Sequence, residues 1–237
     1  MPFRVPIEVA STFFVFLRWL QWHYSELAFC MISQLAIEQT ISSFQALHER
    51  LNLHRTSDVS FFPEWQLPTI ELADSEKTFL DHLKQRYYNY YNAGLLTEGT
   101  VLLSIVAPLL ERLGFHEPPF FVQSEVPVSL EVKERNEIYR GRMDVLVIRE
   151  NLWVLTVEAK RSKFAADLAL PQCLAYVSAS PQQPSFGMVT NGSDFIFCKV
   201  ADGIYDFSDP LSLLSRQNRL YEVATILSGL KEGSFRS

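Results

Sequence analysis

In residues 141–161, GRMDVLVIRENLWVLTVEAKR, two apolar runs flank a short polar turn and carry charge at their outer ends. Asp144 opens the first run, and Glu158 and Lys160 close the second. With the turn centred on Glu150, a hairpin sets Asp144 opposite Thr156 and Arg142 opposite Glu158. The alternation of side chains along a strand then sends all four to one face. Asp144 and Glu158 become diagonal neighbours roughly 5–8 Å apart, with Lys160 one step further out on that face. Two carboxylates this close at the rim of an apolar sheet repel each other and lose solvation. A hard divalent cation compensates, since Mg²⁺ takes one or two carboxylates and keeps water or phosphate oxygens as its other ligands. A salt-bridge cluster with Lys160 and Arg142 compensates too, and spacing alone leaves both open.

The elements that must position these groups are legible on either side. Ile37, Ile41, Phe44, Leu47 and Leu51 recur at spacings of three and four, the mark of an amphipathic helix. After the loop FFPEWQLP, Asp74 or Ser75 is placed to cap a second helix with the stripe Phe79, Leu83, Tyr87 and Tyr90. Its aromatic run YYNYYN reads either as packing or as a base-stacking platform. A third helix is expected from about Leu96 to Leu113, stopped by Gly114 with Pro118 and Pro119 beyond. After Pro119 the period drops to two, giving a strand that ends near Val132. DVLVI and LWVLTV are continuous apolar runs, as strands covered on both faces require. LALPQCLAYVSA reads as a helix with Pro171 inside it or at its start. FGMVTNGSDFIFCKV reads as two strands around Asn191-Gly192. The order is helix, three strands, helix, two strands, an α/β arrangement.

Asp144, thirteen residues, then Glu158-Ala159-Lys160 resembles the PD-(D/E)XK nuclease superfamily over roughly residues 95–200. That resemblance implies a restriction-endonuclease-like core with an N-terminal helical extension. It also implies that Asp144 and Glu158 bind Mg²⁺, with Mn²⁺ as a substitute and the Ala159 carbonyl as a third ligand. Lys160 would orient or deprotonate the attacking water and offset charge on the phosphate. Met143 replaces the proline of the motif, a position that does no chemistry. Gln172 and Tyr176 lie on one helical face at i, i+4, and a similar Q-x-x-x-Y follows Glu-x-Lys in the helicase-associated nuclease branch. The resemblance places Gln172 with the catalytic set and Tyr176 toward nucleic acid. Taken alone, the pair reads as an exposed Gln beside a packed Tyr. Glu98 matches the place of an extra metal-proximal carboxylate, and the dipole of a helix N-terminus favours an acid there in any case. Taken together, the motifs resemble the N-terminal nuclease domain of type I restriction enzyme R subunits, in stand-alone form. The 237 residues hold no G-x-x-x-x-G-K-[ST] phosphate loop, so the chain is not expected to translocate DNA by itself.

Composition agrees with one core: 48% of the residues are hydrophobic and 20% charged. The net charge of -6 argues against a uniformly basic coat, although a local patch, not the total, decides nucleic-acid binding. Between Lys133 and Lys163 eight Lys and Arg face five Asp and Glu, and Arg142, Arg161 and Lys163 are the candidates to hold a phosphate backbone. Cys30, Cys173 and Cys198 form no zinc pattern, which points to reduced thiols and the cytoplasm. Residues 1–30 are rich in aromatics, and their run Phe13–Leu17 is shorter than the ~20 residues a bilayer span needs. A signal peptide and a working start at Met31 are both open readings of that segment. The expected division is residues 1–30 as an atypical segment, 31–94 as a helical extension and 95–237 as the nuclease-like part. The leading function is a Mg²⁺-dependent, restriction-type DNA endonuclease, with DNA, a second copy of the chain or other restriction-system subunits as partners and no membrane. Its rival keeps the fold without the chemistry, as an inactive module that binds nucleic acid or a protein partner. In a third reading the acids and bases form only salt bridges.

Overall fold

In the computed structural model, which describes residues 33–66, 71–150 and 152–233, the described strands join in one mixed sheet. They are β1 Ser33–Ala36, β2 His54–Arg55, β3 Phe120–Val132, β4 Glu137–Arg149, β5 Leu152–Ala159, β6 Ser185–Thr190, β7 Asp194–Ala201, β8 Ile204–Phe207 and β9 Leu211–Ser212. Their order is β1-β4-β5-β6-β7-β8-β2, with β3 on β4 and β9 on β7. The helices are α1 Ile37–Thr40, α2 Phe44–Leu51, α3 Asp74–Asn92, α4 Glu98–Val101, α5 Ala107–Arg112, α6 Leu170–Ser178 and α7 Leu220–Gly233. This is the expected α/β architecture, and the restriction-endonuclease-like succession of helix, three strands, helix and two strands runs from α4 to β7.

The apolar runs of β4 and β5 are continuous because both faces of the sheet are covered. Val145, Val147 and Val157 pack with α3, α4, α5 and α7 in one core, while Met143 and Leu146 pack with α1, α2 and α6 in the other. β3 pairs along the full length of β4, from Phe120↔Arg149 to Val132↔Glu137. β1 and β5 must therefore share the opposite edge of β4. β5 covers Val145 to Arg149 and β1 covers Glu137 to Arg140. Residues 141–144 lie between them without a strand partner on that edge, in a fork that opens where β5 leaves β4.

Several local features depart from expectation, each for an identifiable reason. The helix expected through Ile37 and Leu51 is two, α1 and α2, because Ser43 starts a new helix by accepting the Ala46 N–H on its hydroxyl at 3.1 Å. Ala73, not Asp74 or Ser75, stands at the N-cap of α3, where the Glu76 carboxylate accepts the Ala73 N–H at 2.8 Å. The third helix passes through a π-helical stretch, Leu102–Val106, before α5. Pro108 has no N–H to offer the Ser104 carbonyl, which accepts instead from Arg86 at 3.2 Å. Gly114 stops the helix as expected, with φ +74°.

The β4–β5 register also differs. Val147 pairs with Leu155 but Ile148 with Trp153, so Val154 is an extra residue in a bulge. Leu146, not Asp144, lies opposite Thr156, and one step past Val145↔Val157 brings Asp144 level with Glu158. The parity is kept, so both acids still share a face. Residues 31–94 are not purely helical, since β1 and β2 join the sheet at opposite ends of its order. Beyond the strands that were foreseen, β8, β9 and α7 complete the described chain, and α7 buries Leu220, Val223 and Leu227 in the core that also holds Leu83 and Tyr87 of α3. Residues 1–30 and Met31 lie outside the described residues.

Gly187 measures how tightly α6 is held against the sheet. A Cβ there would lie 2.6 Å from Val177 Cγ2 and 2.8 Å from the Sγ atoms of Cys173 and Cys198. Gly187→Ala is expected to lose about 1–3 kcal/mol in urea unfolding, the usual result of overpacking a filled core. An unchanged midpoint would mean that α6 sits less closely than this.

Candidate active site

At the fork, side chains take over the hydrogen bonding that the strands give up. After Val157, β5 follows β6 in parallel, and the Lys160 N–H continues that ladder by donating to the Thr190 carbonyl at 2.8 Å. The Ala159 N–H turns to Asp144 and donates to Oδ2 at 2.7 Å. Further along the unpaired edge, the Arg142 N–H donates to the hydroxyl of Tyr176 on α6. Gly141 lets that tyrosine in, since a Cβ there would lie 2.6 Å from Tyr176 Cε1.

Glu158 is only 1% exposed. Its Oε1 accepts from Lys160 Nζ at 2.5 Å and from Gln172 Nε2 at 2.8 Å, and Gln172 Nε2 also reaches the Tyr176 hydroxyl at 3.0 Å. Its Oε2 is buried with no hydrogen-bond partner. A buried carboxylate oxygen without a donor or cation is costly, so this atom asks for a positive ligand.

The electrostatics say the same. Burial, above all, pushes the Asp144 carboxyl up to about 6, against the pull of the Ala159 N–H, and the charge of Glu98 adds to the shift. Burial and then the charge of Asp144 push Glu158 up to about 8, outweighing Lys160. Burial works against the Lys160 ammonium, yet the contact with Glu158 prevails and holds its pKa above the ordinary value.

The other foreseen residues stand in different relations to this pair. Thr97 caps α4 by accepting the Thr100 N–H at 3.2 Å, which sets Glu98 in the first turn. Glu98 is exposed, and its charge is felt at Asp144, Glu158 and Lys160. It stands between two clefts. One, of about 570 Å³, is lined by Asp144, Arg142 and the apolar side of α4 and α5; the other, of about 820 Å³, by Arg161, Lys163 and Tyr91. Arg142 is paired with Glu125 at 3.6 Å on the surface, so it does not neutralise the two acids. Gln172 is buried and bonded to Glu158 rather than exposed. Tyr176 corrects the expectation that it faces nucleic acid: it is fully buried, and its hydroxyl is used to orient Gln172 and the β4 edge.

Glu38 on α1 was missed. It is exposed, and its charge raises both Asp144 and Tyr176. Nothing in the spacing around it points to the site, because only the β1–β4 pairing brings it there.

Among the described residues no three of His, Cys, Asp and Glu converge as a ready-made metal cage. The set is smaller: two carboxylates, one with a buried unpartnered oxygen. That donor set suits Mg²⁺, which binds through one or two carboxylates and keeps several other positions for water or phosphate.

The model of the family described as type I restriction enzyme R protein N terminus matches residues 34–204. No curated protein matches the chain. Among solved structures, a fragment of an HsdR subunit of a type I restriction enzyme from Vibrio vulnificus YJ016 aligns at 18% identity with a TM-score of 0.37. The alignment covers 48% of this chain and 23% of that one.

The two acids predict an unusual pH profile. Their folded values of about 6 and about 8 lie above the ordinary 3.8 and 4.5, so across that window the folded state holds more protons than the unfolded one. Stability contributed by these groups is greatest at low pH and is lost as pH rises through the window. In EDTA the melting midpoint should therefore fall between about pH 5 and 8, and less steeply for Asp144→Asn. A flat slope, or one the mutant leaves unchanged, would contradict the burial of the pair.

Proposed function

From the premise that the chain belongs to the type I restriction enzyme R protein N-terminal family, whose fold is that of the PD-(D/E)XK nucleases, we propose that it hydrolyses DNA phosphodiester bonds with Mg²⁺. The observation that carries this reading is the unpartnered Oε2 of Glu158, buried level with Asp144 and two residues from Lys160. Asp144 and Glu158 would hold the cation, with the Ala159 carbonyl as a further donor. When bound, Mg²⁺ supplies Lewis-acid charge at the scissile phosphate and acidifies a water.

The rest of the work falls to the chain's own groups. The Ala159 N–H fixes the Asp144 carboxylate, and Gln172, itself set by Tyr176, fixes Glu158. Lys160 orients the attacking water and offsets phosphate charge, while Arg142, Arg161 and Lys163 hold the backbone without reading sequence. Glu98 supplies further negative charge at the mouth of the site. We assign the chemistry to residues 95–237, with 31–94 adding β1 and β2 beside it. Other restriction-system subunits are the fitting partners. The cytoplasm is the fitting place, where Cys173 and Cys198, both free thiols, stay reduced. Among the described residues no helix is long and apolar enough to cross a membrane.

One observation favours the salt-bridge reading: Lys160 Nζ lies 2.5 Å from Glu158 Oε1. It leaves the balance uneven, because one ammonium faces Asp144 and Glu158 directly and Glu98 and Glu38 around them.

Supercoiled DNA with millimolar Mg²⁺ is the test. Lys160→Ala should lower the hydrolysis rate about 10²–10⁴-fold, the range for a lost proton-handling group. Lys160→Arg should not restore it, since a planar guanidinium places its charge differently from a compact ammonium. Cutting by Lys160→Arg at near the wild-type rate would show that bulk charge suffices. Absence of any divalent-dependent hydrolysis in wild type would favour the rival.

A further inference from the structure

The run from Tyr87 to Asn92 is divided by its own helix. Tyr87 is fully buried, Tyr88 donates its hydroxyl to the Leu213 carbonyl at 2.9 Å, and Tyr90 packs on the same core. Tyr91 is left over, 48% exposed. Its ring lies 5.6 Å from that of Tyr87 with an interplanar angle of 30°, so the core braces it from behind. It lines the cleft of about 820 Å³ whose other walls include Arg161, Lys163 and Glu98. One residue beyond Lys163, Phe164 is 44% exposed, with the Arg161 guanidinium carbon 5.4 Å from its ring centre.

We propose that this cleft takes an unpaired nucleotide, with its base stacked on Tyr91 and its phosphate held by Arg161 and Lys163. The proposal rests on the reading above only in supposing that the same strand continues past Glu98 to Asp144. Phosphates alone call for cations and no aromatic ring. Within a duplex the bases stack on one another and offer a side chain no π-face. An exposed aromatic ring inside a basic cleft therefore fits a base that has left its stack. The brace from Tyr87 lowers the ordering cost, because the ring is already held before a base arrives. Glu98 completes the pattern by repelling phosphate from its own side, which leaves Arg161 and Lys163 as the backbone's place.

Affinity separates base from backbone. Fluorescence anisotropy in EDTA, where no hydrolysis intervenes, would compare oligodeoxythymidine with a base-free deoxyribose-phosphate strand of equal length and with a duplex closed by hairpin loops at both ends and labelled within the stem. Wild type should bind the thymidine strand about 5- to 100-fold more tightly than the base-free strand. Tyr91→Ala should erase that difference, Tyr91→Phe should keep it, and duplex binding should not respond to either. Equal binding of the two strands by wild type overturns the proposal without any variant, as does a preference that survives in Tyr91→Ala. Hydrolysis of the same strands with Mg²⁺ keeps the two readings apart. Base preference without hydrolysis leaves the base site standing and removes the nuclease, whereas hydrolysis without base preference does the reverse.

Discussion

The constraint on which the site depends is a carboxylate where water cannot reach it. Glu158 is buried at the end of β5, level with Asp144 on β4. The charge of Glu158 is not fully answered by the protein, since Lys160 and Gln172 serve one of its oxygens and the other has no partner. Burial raises both carboxyls, to about 6 and about 8, with the charge of Glu98 adding at Asp144 and that of Asp144 adding at Glu158. A fold that keeps such a pair gives up stability there, as sites built to receive a ligand commonly do.

The surrounding architecture makes the arrangement tenable. Because β5 leaves β4 for β6, the edge at residues 141–144 is free to be met by side chains instead of strand. Asp144 receives the Ala159 N–H and Tyr176 the Arg142 N–H, so side chains close the fork. Gly141 and Gly187 allow α6 to lie close enough for Gln172 to reach Glu158. Two clefts lie on either side of Glu98, one basic and aromatic, the other largely apolar.

How much of this could be read from the sequence follows from how local each determinant is. Asp144, Glu158 and Lys160 were legible because charges at the ends of apolar strands contradict the pattern around them. The face they share survived a wrong register, since the turn lies one residue from where it was expected and the Val154 bulge adds one more, a shift of two that leaves the parity unchanged. The ends of the helices were read less well. Ala73 carries no cap of its own, and the break at Ser43 is set by one hydroxyl. Burial of Tyr176 depends on the absent side chain of Gly141, and Glu38 reaches the site only through β1, far away in the chain. Neither has a local signature. The stretch YYNYYN was ambiguous for the same reason: helical spacing gives the stripe, but only the fold decides that Tyr91 is the ring left outside.

The central claim is that Asp144 and Glu158 are held apart from their preferred state until a divalent cation joins them. Thermal melts of wild type and Asp144→Asn, each in EDTA and in millimolar Mg²⁺, test it without substrate. The asparagine can still accept the Ala159 N–H, so the charge alone is removed. On this account the variant is as stable as wild type in EDTA or more so, and Mg²⁺ raises the melting midpoint of wild type but not of the variant. In a salt-bridge cluster the signs reverse, because removing one partner strands a buried charge at a cost of about 3–5 kcal/mol. A variant that melts lower in EDTA, beside a wild type indifferent to Mg²⁺, would contradict the account.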